Sequence, residues 1–119
     1  MLRFLSLIVG AVLITTPAEA GKKKLPALED NKAYVLYLEG CPICNQALEY
    51  INERYFTRPD VVRVNIETEE GQALLKQCAK KFNFTRILAP VICVGDKYFM
   101  GWSGRAAKDF DRYLIDLHE

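Results

Sequence analysis

Cys41 and Cys44, two residues apart, are the side chains in this sequence with the clearest capacity for chemistry. The Cys-x-x-Cys spacing lets two sulfurs close a disulfide with little backbone movement. The same spacing supplies half of a zinc site, which needs about two more ligands. The surroundings favour redox chemistry. The motif follows a short apolar run, Ala33-Tyr34-Val35-Leu36-Tyr37-Leu38, ended by Glu39-Gly40, and it opens a segment of helical spacing. A Cys-x-x-Cys between the strand and the helix of a βαβ pattern reads as a redox dithiol. The unpaired N–H groups and dipole of a helix N-terminus stabilise negative charge, and the thiolate is the reactive form of cysteine. Cys41, just before the helix, is expected to be the exposed nucleophile. Cys44, one turn in, is expected to be the more buried resolving thiol.

The remaining reactive side chains make weaker patterns. Cys78 falls on an apolar helix stripe and Cys93 in an apolar strand, so both are expected to pack as small apolar groups. A Cys78–Cys93 disulfide is the alternative in an oxidising compartment. Neither cysteine is paired with His118, the single histidine, at metal-ligand spacing, so no metal and no cofactor is expected. His118 reads as an exposed residue at the end of the last helix. Asn83-Phe84-Thr85 matches a glycosylation sequon.

The elements that must position the dithiol follow from periodicity. The run 33–38 reads as a buried strand. Pro42 suits the first turn of a helix, and Ile43, Ala47, Leu48, Ile51 and Tyr55 recur on one helical face. Arg58-Pro59-Asp60 is a turn before the β-branched run Val61–Ile66. Acidic residues from Glu67 onward suit the start of a second helix, with Leu74, Leu75, Cys78, Ala79 and Phe82 on its apolar face. Val91–Val94 and Lys97–Met100 flank Gly95-Asp96 as a hairpin. A last helix carries Ala106, Phe110, Tyr113, Leu114 and Leu117 as its buried stripe. A βαβ unit followed by a helix, a hairpin and a helix predicts an α/β domain with a mixed four-stranded sheet flanked by three helices.

With these elements in order, the chain resembles the glutaredoxin branch of the thioredoxin superfamily, most closely the NrdH-type redoxins. The carrying residues are Cys41-Pro42-Ile43-Cys44, Ala89-Pro90 before a strand, Gly95-Asp96 in a hairpin and Gly101-Trp102-Ser103-Gly104 before the last helix. The resemblance spans roughly Lys32 to Leu117. It implies a thioredoxin-like fold and a cis Ala89–Pro90 bond packed against the dithiol. It further implies a substrate groove formed by Pro42, Ile43, Ala89, Pro90 and Trp102, with backbone groups around Ala89 pairing with an extended substrate segment. Two departures narrow the substrate. Gly104-Arg105 stands where glutathione-using relatives carry an acidic pair, and Glu39-Gly40 replaces a basic residue before the first cysteine. Negative Glu39 disfavours anionic glutathione, so protein disulfides are the expected partners. The NrdH-type partner, ribonucleotide reductase, is cytosolic and does not carry over.

The N-terminus supplies the reason. Met1-Leu2-Arg3, the apolar run Phe4–Ile14, and Ala18-Glu19-Ala20 follow one another as the three parts of a secretory signal peptide cleaved after Ala20. The run is too short to span a bilayer, which takes ~20 apolar residues. Residues 21–31, with Lys22-Lys23-Lys24 and Pro26, read as an arm or linker, and 32–119 as one domain. The net charge of +1 singles out no partner, and no basic stripe with interleaved aromatics supports nucleic-acid binding. The expectation is a monomeric exported thiol–disulfide oxidoreductase, periplasmic or secreted, working as a reductase and fed by a membrane or soluble thiol donor. Two alternatives stand beside it. One is a non-catalytic thioredoxin-fold module with a structural disulfide, the other a glutathione-dependent glutaredoxin.

Overall fold

A computed structural model describes residues 25–118. The expected signal peptide, residues 1–20, and the Lys22–Lys24 run lie outside these residues. The elements run β1 (Ala33–Tyr37), α1 (Pro42–Tyr55), β2 (Val61–Asn65), α2 (Glu69–Phe82), β3 (Val91–Val94), β4 (Lys97–Met100) and α3 (Gly104–Leu117). The strands form one sheet in the order β2-β1-β3-β4. β1 and β2 are parallel, and the other two pairings are antiparallel. This is the mixed four-stranded sheet and three helices that periodicity predicts.

Side chains alternate across a strand, and the sheet accordingly has a core on each face. Ala33, Val35, Ile92 and Val94 pack with Ile51 of α1 and Phe110 and Leu114 of α3. Tyr34, Leu36, Val91 and Cys93 pack on the other face with Leu74, Leu75 and Cys78 of α2. Full burial of one large apolar side chain is worth ~1.5–3 kcal/mol, so each core supports its own helices. The dithiol helix α1 shares its core with α3. Tyr50 and Tyr55 of α1 both donate hydroxyl hydrogen bonds to the Asp111 carboxylate of α3.

Helix ends show why the chain turns where it does. Thr68 caps α2, its hydroxyl accepting the Gly71 N–H at 3.0 Å. Gly71 has to be glycine, because a Cβ there would lie 1.9 Å from the Asn65 carbonyl oxygen. Helix α2 therefore presses directly on the exit of β2. Ser103 caps α3 by accepting the Ala106 N–H at 3.1 Å. At the far end of α3, His118 meets the Asp60 carboxylate, which Arg58 also grips through two nitrogens. Arg58 first, and His118 after it, hold that carboxyl well below its ordinary range.

Three sequence expectations change. The α1 stripe is phased on Cys44, Ala47 and Ile51, so Ile43 faces outward at 43% exposure rather than into the core. On α3 the buried alanine is Ala107, not Ala106. Cys78 and Cys93 are not free apolar thiols but a disulfide, joining α2 to β3 inside the second core. The described part of the arm is also anchored. The Gln77 amide accepts the Leu28 N–H at 2.9 Å and donates to the Pro26 carbonyl at 3.0 Å. Among the described residues, no helix is long and apolar enough to cross a membrane.

Candidate active site

Cys41 is the N-cap of α1, in extended conformation, with Pro42 as the first helical residue. Gly40, at φ +76°, makes the turn from β1 into this cap. The Cys41 sulfur accepts the Cys44 N–H at 3.1 Å. An N-cap acceptor satisfies an otherwise orphaned donor, and the adjacent dipole accommodates negative charge on the sulfur. Cys41 is half-buried, whereas Cys44 is 0% exposed. Burial, and then a hydrogen bond to the Cys41 side chain, pushes the Cys44 thiol up to about 11. Cys44 is therefore held as a protonated thiol at neutral pH, one turn behind a sulfur that reaches the surface.

The sheet brings the other candidate residues to the same end. β1 runs toward the dithiol, and antiparallel β3 starts there, with Leu36 opposite Val91. Continuing that register by one residue sets Pro90 beside Tyr37, four residues before Cys41. The Ala89–Pro90 bond is cis, as the resemblance implies. Pro90 is buried and Ala89 half-buried. Among the described residues, the Ala89 N–H and C=O have no hydrogen-bond partner. The Pro90 carbonyl accepts the Gly101 N–H at 2.9 Å, which places Trp102 at this end as well.

Trp102 is half-buried and packs on Tyr50 of α1, with ring centroids 5.6 Å apart, and on Phe110 of α3 at 6.3 Å. The indole thus bridges the dithiol helix and the last helix, part core and part surface. Pro42 and Ile43 are exposed on the first turn of α1. Glu39 is exposed before Cys41, and Gly104 and Arg105 are exposed after the α3 cap.

The sequence reading did not single out Ile87 and Leu88. They are 51% and 60% exposed in the loop entering Ala89-Pro90, and Leu88 reaches Gly101. The available signal was two large aliphatic residues in a loop that no helix or strand stripe absorbs. A surface groove of about 530 Å³ follows β2 past Pro26, Tyr34, Val62 and Val64 rather than lying over the dithiol. Among the described residues, no cluster of three or more His, Cys, Asp or Glu side chains could hold a metal ion.

Solved structures similar to this chain include two glutaredoxins. A glutaredoxin from Archaeoglobus fulgidus shares 23% identity, covers 68% of this chain and 86% of its own, and superposes with a TM-score of 0.51. A buckwheat glutaredoxin solved as its glutathione complex shares 15% identity, with 71% and 74% of the two chains covered and a TM-score of 0.45. No protein-family model matches the chain, and no curated protein does. The archaeal likeness and the sheet order agree on the architecture: the chain adopts a thioredoxin-like α/β fold of the glutaredoxin type, with Cys41 and Cys44 at the start of its first helix.

Proposed function

We propose that the protein is an exported thiol–disulfide oxidoreductase that reduces disulfides in other proteins. The observation that carries this reading is the asymmetry of the dithiol: Cys41 at an N-cap and open to the surface, Cys44 buried and protonated one turn away. The Cys41 thiolate attacks one sulfur of a substrate disulfide, and the other substrate sulfur leaves as a thiolate. Cys44 then loses its proton and attacks the Cys41 sulfur, releasing the second substrate thiol and leaving a Cys41–Cys44 disulfide. Two electrons pass from the dithiol to the substrate, so a thiol donor must reduce the pair again.

The free Ala89 backbone groups supply one donor and one acceptor for an extended substrate segment. Pro42, Ile43, Leu88 and Trp102 offer apolar surface beside them. Export is supported by the signal-peptide pattern of residues 1–20 and by the buried Cys78–Cys93 disulfide, a bond that persists in oxidising compartments. Protein disulfides are favoured over glutathione by exposed Glu39, two residues before Cys41, and by Gly104-Arg105 standing where glutathione-using relatives carry an acidic pair for the glutathione amine.

The test is reduction of insulin disulfides by wild-type protein and by Cys41→Ser and Cys44→Ser variants. Wild type is expected to turn over, Cys41→Ser to be inert, and Cys44→Ser to stall as a mixed disulfide visible by mass spectrometry. A wild-type rate no higher than that of Cys41→Ser would sink the oxidoreductase reading in favour of a binding module.

A further inference from the structure

The sheet topology sorts the charged side chains at the dithiol end by sign. Four acidic residues stand over the β1–β2 half. Glu39 follows β1, Glu67 follows β2, and Glu69 and Glu70 lie in the first turn of α2; all four are exposed. Two basic residues stand over the β3–β4 half. Arg105 is exposed in the first turn of α3, which follows β4. Arg86 is exposed in the loop that crosses β4. That loop is fixed at both ends: Phe84 stacks on Tyr98 with centroids 5.0 Å apart, and the Leu88 N–H donates to the Met100 sulfur at 3.4 Å.

None of these six takes part in an ion pair among the described residues. Every such pair lies elsewhere, at Lys32–Glu29, Arg58–Asp60, Lys81–Asp30, Lys97–Asp96, Arg112–Asp109 and His118–Asp60. The two flanks are three strand spacings apart from β2 to β4, or ~14 Å. Cys41 and the apolar Ile43 follow the inner strand β1, and Leu88 lies beside Met100 and Gly101 at the end of β4. Fixed charges of opposite sign on either side of a reactive centre orient an incoming partner and speed its encounter.

We infer that this end of the molecule is a polarised docking surface for an extended polypeptide with opposite charge on the two sides of its disulfide cysteine. The side lying over β3–β4 carries Asp or Glu, and the side lying over β1–β2 carries Lys or Arg. An aliphatic residue beside the cysteine meets Ile43 and Leu88. The inference rests on the oxidoreductase reading for its substrate and adds the feature that selects among substrates. A substrate of uniform charge meets attraction on one flank and repulsion on the other.

The experiment uses the Cys44→Ser protein and two peptides, each with one cysteine capped as a thionitrobenzoate mixed disulfide. Both carry leucine beside the cysteine. One has Asp residues before it and Lys residues after it, and the other has the reverse order. Cys41 sulfur bonds to the peptide sulfur, and thionitrobenzoate leaves as a coloured thiolate, so the attack is read directly. At ~0.01 M salt, where the Debye length is ~30 Å, one order is expected to react about tenfold faster than the other. The ratio is expected to fall toward one at ~1 M salt, where the Debye length is ~3 Å. It is expected to invert in the variant Glu39→Lys/Glu67→Lys/Glu69→Lys/Glu70→Lys/Arg86→Glu/Arg105→Glu. Equal rates at low salt, or a ratio that survives high salt or charge inversion, overturns the docking inference. The oxidoreductase reading is judged separately, by whether Cys41 outpaces free cysteine on either peptide.

Discussion

The molecule carries two cysteine pairs, and the sheet separates them into opposite circumstances. Cys41 and Cys44 lie at its dithiol end, at a helix N-cap, as free thiols of which one reaches the surface. Cys78 and Cys93 lie within the second core, bonded to each other, at 0% and 3% exposure. Tyr34 and Tyr98 flank Cys93 across the ladder, and Tyr98 is roofed by Phe82 and Phe84. A thiolate needs access to attack a disulfide, and this packing denies it. One residue type thus stands as a free pair with one sulfur open to the surface at one place and as a cross-link at the other, and the access of Cys41 is what sets them apart.

The comparison breaks most visibly under labelling. After excess dithiothreitol at native conditions, an alkylating reagent is expected to add to Cys41 alone, and after unfolding in the same reductant to all four cysteines. The same split is expected in turnover. Cys41→Ser abolishes insulin reduction, while Cys78→Ala/Cys93→Ala retains it at temperatures where the variant is folded. Four adducts on the native protein, or loss of turnover in the double alanine variant with its fold intact, would show that the buried pair is a working redox centre.

The effect of the buried pair should appear in stability instead. Closing a loop of 15 residues restricts the unfolded chain by about 3 kcal/mol at 25 °C. Cys78→Ala/Cys93→Ala is expected to lower the denaturation free energy by about that amount. For a domain of this size that corresponds to a melting temperature lower by roughly 12–24 °C. Chemical denaturation of wild type and variant at neutral pH measures it. A difference under about 0.5 kcal/mol would mean that α2 and β3 are held by Leu74, Leu75 and Val91 without help from the bond.

These two pairs also show what the sequence makes legible. The first pair is local: a strand, a Gly-Cys-Pro start and a helical stripe lie within 30 consecutive residues, roughly 30 to 60, and each signals the next. The sheet is legible for the same reason, since β2 and β3 are β-branched runs, β1 and β4 are apolar runs with aromatics, and turn residues bound them. The second pair is not local. Cys78 on a helix face and Cys93 in a strand each look like ordinary core, and only the packing of α2 across β3 brings the sulfurs together. The outward turn of Ile43 was hidden because Cys44 is apolar enough to take the inward position. The anchored arm was hidden because Gln77 holds backbone groups of Pro26 and Leu28, which leaves no pattern in side-chain types.

A smaller effect sharpens the contrast within the dithiol itself. Cys44 ionises at about 11 in the folded protein, against an ordinary value of 9.0, with burial as the first cause. Below pH 9 the thiol is protonated in both folded and unfolded chains and contributes no pH dependence. Between pH 9 and 11 the unfolded chain gives up the proton while the folded one keeps it. The unfolded state then binds fewer protons, and stability falls as pH rises. With Cys41→Ala as background, Cys44 is the remaining free thiol, and its share of the loss between pH 8 and 10 is about 1 kcal/mol. Cys41→Ala/Cys44→Ala lacks that share but keeps every lysine and tyrosine that titrates in the same range. The difference between the two denaturation free energies, followed from pH 8 to 10, isolates the thiol. Parallel pH dependences would mean that Cys44 ionises as readily folded as unfolded. The buried thiol would then lose its distinction from an exposed one. A disulfide has no proton to lose, so substituting Cys78 and Cys93 on the same background is expected to move the whole curve down without bending it toward high pH.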